Sequence, residues 1–215
     1  ISVPLRDFKE LNDWETVIFV YQSALKQVET KIDILNGEFQ HRHKYNPIEH
    51  VKSRIKTPES IVKKLKRHGY ESSIENMVRY VNDIAGIRIS CSFTSDIYLI
   101  ADMISKQNDL TILARRDYMK NPKKSGYRSY HMLVTTPVFL SDSIIDTKVE
   151  IQIRTVAQDF WATLEHKMHY KFEGDGPDYI TKELRECARY VAELDTRMEE
   201  LNNEIQKYGK LSDKK

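Results

Sequence analysis

Cysteine, glycine and proline are all scarce in this 215-residue chain, at two, seven and six residues. Cys91 and Cys187 are far apart, in neither a C-x-x-C nor a Cys/His zinc spacing. That excludes a disulfide framework and a zinc module, and fits two reduced thiols of a cytoplasmic protein. Neither G-x-x-x-x-G-K-S/T nor G-x-G-x-x-G occurs among the seven glycines, so a P-loop and a dinucleotide fingerprint are out. There is no run of about 20 apolar residues, which excludes a helical membrane span, and no signal-peptide pattern opens the chain. The chain also contains no His-Asp dipeptide, and hence no HD-type phosphohydrolase signature.

Charge, by contrast, is abundant: 31% of residues are Asp, Glu, Lys or Arg, and a net charge of +2 hides strong local asymmetry. His41 to His68 holds nine Lys/Arg against two Glu, and Ala114 to His131 holds six against one Asp. Glu173 to Glu204 runs the other way, with ten acids and four bases. Two basic segments imply a polyanionic partner, either phosphorylated small molecules or nucleic acid, so RNA stays open as a ligand. The acidic tail argues against a surface lying wholly along nucleic acid.

Periodicity predicts helices at both ends and a sheet between them. Trp14, Val17, Ile18, Tyr21, Leu25, Val28, Ile32 and Leu35 line one helix face, with Gly37 placed to end it. Asn46-Pro47 marks a turn, Thr57-Pro58 opens a second helix, and Ser72 with Glu75 has capping-box spacing for a short third one to about Val81. From Asp83 to Phe93 the period becomes two, as in a half-buried strand. Helical spacing returns at Ile97, Ile100, Met103 and Ile104, and strands follow near 110–114, 129–136 and 148–153. Helices close the chain over about 156–170 and 180–208, separated by Gly174, Gly176 and Pro177. The expectation is one α/β (α+β) domain over 1–215: a mixed sheet flanked by helices, a catalytic region at about 46–171, and helical extensions at 1–45 and 172–215.

Three places could carry chemistry. Asp83, at the entrance of the first predicted strand, suits either a Mg²⁺ ligand or a turn-capping acid. Glu150, Gln152 and Arg154 share one face of their strand, a face either solvated or covered by something polar. Pro122 to His131 mixes lysines, Gly126, two tyrosines, Arg128 and His131, as a basic turn or a nucleotide loop would. Two carboxylates near phosphate-attracting segments suggest magnesium-dependent phosphoryl or nucleotidyl chemistry. His41, His43 and His50 read as surface residues before they read as metal ligands.

DIAGIR (83–88), SGYRSYH (125–131), VEIQIRT (149–155) and DFWATLEHKMHYK (159–171), in this order, resemble the synthetase domain of RelA/SpoT-type proteins, over essentially Asn46 to Lys171. The stand-alone length points to the small alarmone synthetases of that family. The resemblance implies a nucleotidyltransferase-like fold, Mg²⁺ as cofactor, and transfer of the β,γ-pyrophosphate of ATP to the 3′-hydroxyl of GDP or GTP, without hydrolase activity. It implies that Asp83 and Glu150 are the catalytic, metal-holding carboxylates and that His131 lies at the reacting groups. Arg54 and Arg88 match residues that sandwich adenine, while Lys56, Lys64 and Arg67 match residues around the ATP phosphates. Tyr127 matches the ring that stacks on guanine; Arg116, Lys123, Gln152, Arg154 and Glu165 match further acceptor-side positions. Asp159 stands where one branch of the family carries Asn, which implies a different guanine-edge contact. A homotetramer is implied too, with the amphipathic N-terminal helix and the acidic C-terminal one as its contacts. The same fold also hosts nucleotidyltransferases that release pyrophosphate, and an RNA-binding regulatory module is the other alternative.

Overall fold

The computed structural model describes residues 13–171 and 178–212, apart from the side chains of 169–171 and 209–212. Its elements run α1 (Trp14–His43), β1 (Ile48–Ile55), α2 (Pro58–Arg67), α3 (Ile74–Tyr80), β2 (Ala85–Cys91), α4 (Thr94–Ser105), β3 (Thr111–Asp117), β4 (Tyr130–Phe139), β5 (Ile144–Thr155), α5 (Val156–Lys171) and α6 (Asp178–Ser212). The five strands form one sheet in the order β1-β2-β5-β4-β3. β2 and β5 run parallel and every other pair antiparallel, so the sheet is mixed, as expected.

The period-two pattern decides what each sheet face does. Ile87 and Ile89 pair with Ile151 and Ile153, and Ile151 and Val149 pair with Met132 and Val134. All are at most 1% exposed and point to one side. Burying each such side chain contributes roughly 1.5–3 kcal/mol. α1, through Val17, Val20, Tyr21, Ala24, Val28 and Ile32, and α4, through Ile97, Ile100 and Ile104, complete that core. The opposite face is left with the polar positions.

Four expectations change. Gly37 does not end the first helix, which continues to His43 and closes on Lys44 in the left-handed conformation (φ 55). An interior glycine costs only about 1 kcal/mol, and packing of Ile32 and Leu35 on the core outweighs it. β1 was not foreseen: only Ile48 of its eight residues is buried, so no alternation announces this charged edge strand. The cap of α3 is Ser73, whose hydroxyl accepts from the Asn76 amide at 3.2 Å, and not Ser72. The apolar face of α1 is spent on its own sheet, so this helix is part of the core and does not offer that face to another subunit. The glycines and proline expected to separate the last two helices lie outside the described residues.

Candidate active site

Register carries the polar face across the whole sheet. Lys52 (β1) is opposite Arg88 (β2), Arg88 opposite Gln152 (β5), Gln152 opposite His131 (β4), and His131 opposite Arg116 (β3). One step along, Arg54 is opposite Gly86 and Gly86 opposite Glu150. Paired residues project to the same side, so cations from the two basic segments meet on one surface around a central carboxylate. At Gly86 an added Cβ would meet only the Arg54 side chain, at 4.0 Å. Any larger residue there would project into the open space between Arg54 and Glu150.

Asp83 lies in the turn before β2. Its two carboxylate oxygens receive Lys56 Nζ and Lys64 Nζ, each at 2.7 Å. Burial pushes this carboxyl up, but the two ammonium groups prevail and hold it below the usual carboxylate value. Glu150 behaves similarly. Burial raises it, while His131 and a hydrogen bond from Gln152 Nε2 (3.0 Å) bring it below its ordinary range. The nearby Asp83 opposes that lowering, which places the two acids within each other's field.

A ladder of side chains continues up β5. Arg154 donates to Gln152 Oε1 at 2.8 Å, and Gln152 in turn donates to Glu150. Arg154 is only 2% exposed, with its guanidinium 5.4 Å from the centre of the Tyr127 ring. The Tyr127 hydroxyl meets His131 Nε2 at 2.9 Å, and His131 Nδ1 faces Glu150 at 3.7 Å. Lys123 places its ammonium 4.7 Å from the Tyr127 ring centre and 4.9 Å from that of Tyr118. Tyr118 stands edge-on to His131.

Two adjoining cavities result. The first, ≈ 200 Å³, is bounded by Lys52, Arg54, Asp83, Arg88, Glu150 and Gln152, among others. The second, ≈ 450 Å³, is bounded by Lys123, Tyr127, His131, Arg154, Glu165 and His166, among others. Arg54, Arg88 and Gln152 line both. A larger cleft of ≈ 540 Å³ between the β3–β4 loop and α6 holds neither Asp83 nor Glu150. Most of the expected residues therefore converge, with three qualifications. Of the α2-side cations, none lines either cavity: Lys56 and Lys64 reach the site through Asp83, while Arg67 is exposed in the last turn of α2. Arg116 joins the polar row from an exposed edge strand. Asp159 lines neither cavity; it stands 3.7 Å from both Arg88 and Arg154, and its Oδ1, like Nε of each arginine, is buried without a hydrogen-bond partner. Lys52 and Tyr118 were missed. Both lie inside the basic segments that the sequence singled out, Lys52 on the unforeseen strand and Tyr118 just before the Pro122–His131 loop.

Oxygen donors kept ionised on the wall of one cavity suit a hard divalent cation, and cations on two strands suit phosphate chains. An aromatic ring backed by guanidinium suits a purine. Among the described residues no group of three or more His, Cys, Asp or Glu is placed to hold a metal. Asp83 and Glu150 are the two carboxylates this cavity offers.

Residues 53–175 match the family model described as a region found in RelA / SpoT proteins. The chain is 45% identical to the GTP pyrophosphokinase YwaC of Bacillus subtilis, over 91% of this chain and 93% of that one. The crystal structure of small alarmone synthetase 2 from B. subtilis superposes with a TM-score of 0.81 at 44% identity, covering 89% of this chain and 99% of that one. Small alarmone synthetase 1 of the same organism, bound to its product pppGpp, superposes with a TM-score of 0.83 at 34% identity, covering 90% and 98%.

Proposed function

The chain belongs to the RelA/SpoT family, and we propose that it is a GTP pyrophosphokinase that moves the β,γ-pyrophosphate of ATP to the 3′-hydroxyl of GDP or GTP. The observation that carries this reading is the pair of adjoining cavities with Arg54, Arg88 and Gln152 on their shared wall. A transfer between two nucleotides requires both to be gripped at once, with the reacting atoms at the boundary. We assign ATP to the first cavity, its adenine between Arg54 and Arg88 and its phosphates toward Lys56, Lys64 and Arg67. The guanine nucleotide takes the second, its base on Tyr127 and its phosphates toward Lys123 and Arg116.

The 3′-oxygen attacks the β-phosphorus, the bond from that phosphorus to the α–β bridging oxygen breaks, and AMP leaves with the oxygen. The hydroxyl proton passes to the Glu150–His131 pair, which lies where the cavities meet. The cationic row spreads the charge that builds on the transferred group. Asp83 and Glu150 would hold Mg²⁺, which when bound would neutralise phosphate charge, and Lys56 and Lys64 supply ammonium groups beside Asp83 for the same anion. The proposal is for synthesis alone, by a cytoplasmic homotetramer. No helix of the described residues is long and apolar enough to cross a membrane.

Incubation with ATP labelled at the γ-phosphate, plus GDP or GTP, tests the reaction by chromatography. Label should move to a guanine nucleotide as unlabelled AMP appears. Label recovered as pyrophosphate would instead mean nucleotidyl transfer. Steeply salt-dependent RNA binding with no turnover would mean a regulatory module.

A further inference from the structure

The loop that carries Tyr127 and Lys123 is fastened from behind to α6, an element that lines neither proposed substrate cavity. Lys123 and Tyr127 close the loop on themselves: the Lys123 amide donates to Tyr127 O at 3.1 Å and the Gly126 amide to Lys123 O at 2.8 Å. Gly126 has a positive φ of 94°. A Cβ there would come within 2.5 Å of Ala188 Cβ, with Arg185 backbone atoms at 3.7 and 3.8 Å. Both conditions reserve the position for glycine. Ala188, 5% exposed, packs with Trp161 and Ala162, and Tyr127, Leu184 and Val191 lie against this cluster.

α6 has little freedom to recoil on this stretch. Trp161 Nε1 donates to Leu184 O at 2.9 Å, on one side of Ala188. On the other side, Asp195 Oδ2 accepts from Thr155 Oγ1 at 2.6 Å and from Gln158 Nε2 at 2.8 Å, tying α6 to the end of β5 and the start of α5. The 2.5 Å approach of a Gly126 Cβ to Ala188 must therefore be relieved mainly by the loop, which can shift along the ≈ 540 Å³ cleft that both residues also line. We propose that Gly126 and Ala188 are positioning residues for the acceptor nucleotide: α6 sets the depth at which Tyr127 presents its ring, and so sets acceptor affinity independently of ATP affinity. This rests on the assignment of the Tyr127 cavity to the acceptor.

Calorimetric titration of the full chain with GDP, and separately with a non-hydrolysable ATP analogue, separates the two sites without depending on turnover. Gly126→Ala and Ala188→Leu should each weaken GDP about tenfold, within the roughly 5- to 150-fold that stacking of one base on an aromatic ring is worth. Analogue affinity should stay within about twofold, and Ala188→Ser, nearly isosteric, should leave both unchanged. Unaltered GDP affinity in folded Gly126→Ala, or equal weakening of both ligands, would overturn the proposal even if Ala188→Leu failed to fold. Tyr127→Ala is the control on the premise. If GDP still bound normally to it, the assignment of the cavity would fall; if it alone weakened GDP, the coupling through α6 would fall.

Discussion

Tyr127 does two things with one side chain. Its ring faces the cavity beside Arg154 and Lys123, and its hydroxyl reaches His131 at 2.9 Å. Stacking of a base on an aromatic ring is worth about 1–3 kcal/mol. Tyr127→Ala should therefore raise the KM for GDP by roughly 5- to 150-fold while leaving that for ATP nearly unchanged. Tyr127→Phe keeps the ring and loses only the contact with His131. Steady-state kinetics should then show a near-normal acceptor KM and a several-fold lower kcat; the opposite split would mean that the hydroxyl serves acceptor binding and not the reacting groups through His131. Asp83 and its two lysines show how much of such a site is readable in advance. The carboxylate was legible as a candidate because it opens an alternating strand, but Lys56 and Lys64 reach it from a different part of the chain. No local pattern states that both ammonium groups end on the same carboxylate, which only the fold brings about.

Among the elements, α6 carries a pH dependence through one buried carboxyl. Burial raises the Asp195 carboxyl above its ordinary value; Glu199 adds to the rise, while the hydrogen bonds from Thr155 and Gln158 and the charge of Arg128 oppose it. Between the ordinary and the raised value, the folded protein holds a proton that the unfolded chain has released, so this group's contribution to stability falls as pH rises. Asp195→Asn should accordingly melt higher than the parent near neutral pH, by on the order of a few degrees, and the gap should shrink as pH falls below the ordinary carboxylate range. A gap independent of pH would show that Asp195 is not a buried charge. β2 and β5 were legible as elements because one face of each is core, so that Ile87 and Ile89, and Val149, Ile151 and Ile153, alternate with polar residues. β1 was not, since its buried side is a single isoleucine and pairing with β2 alone makes it a strand. The same asymmetry explains the site: the Glu150–Gln152–Arg154 ladder follows from a period of two, whereas Lys52 could be placed only once β1 existed.

For the molecule as a whole, the long helix α6 presents Tyr190, Leu194, Met198, Leu201 and Ile205 to solvent, each between 45% and 67% exposed. Steps of three and four residues put them on one stripe, the pattern of a helix that packs against another. The proposed tetramer would cover it. Light scattering at micromolar concentration should give about four chain masses, and the paired change Leu194→Glu and Leu201→Glu should lower that mass. A monomeric parent protein would remove the tetramer from the account. Since α6 also backs the Tyr127 loop, the proposed assembly and the proposed acceptor site would share one element. The central claim, that two ionised carboxylates on the wall of one of two adjoining nucleotide cavities drive pyrophosphate transfer, is tested most directly by the rate of AMP release from ATP and GDP in Asp83→Asn and Glu150→Gln. The account predicts a fall of at least about 10²- to 10³-fold in each, with the melting curve still cooperative; near-normal turnover in either variant would contradict it.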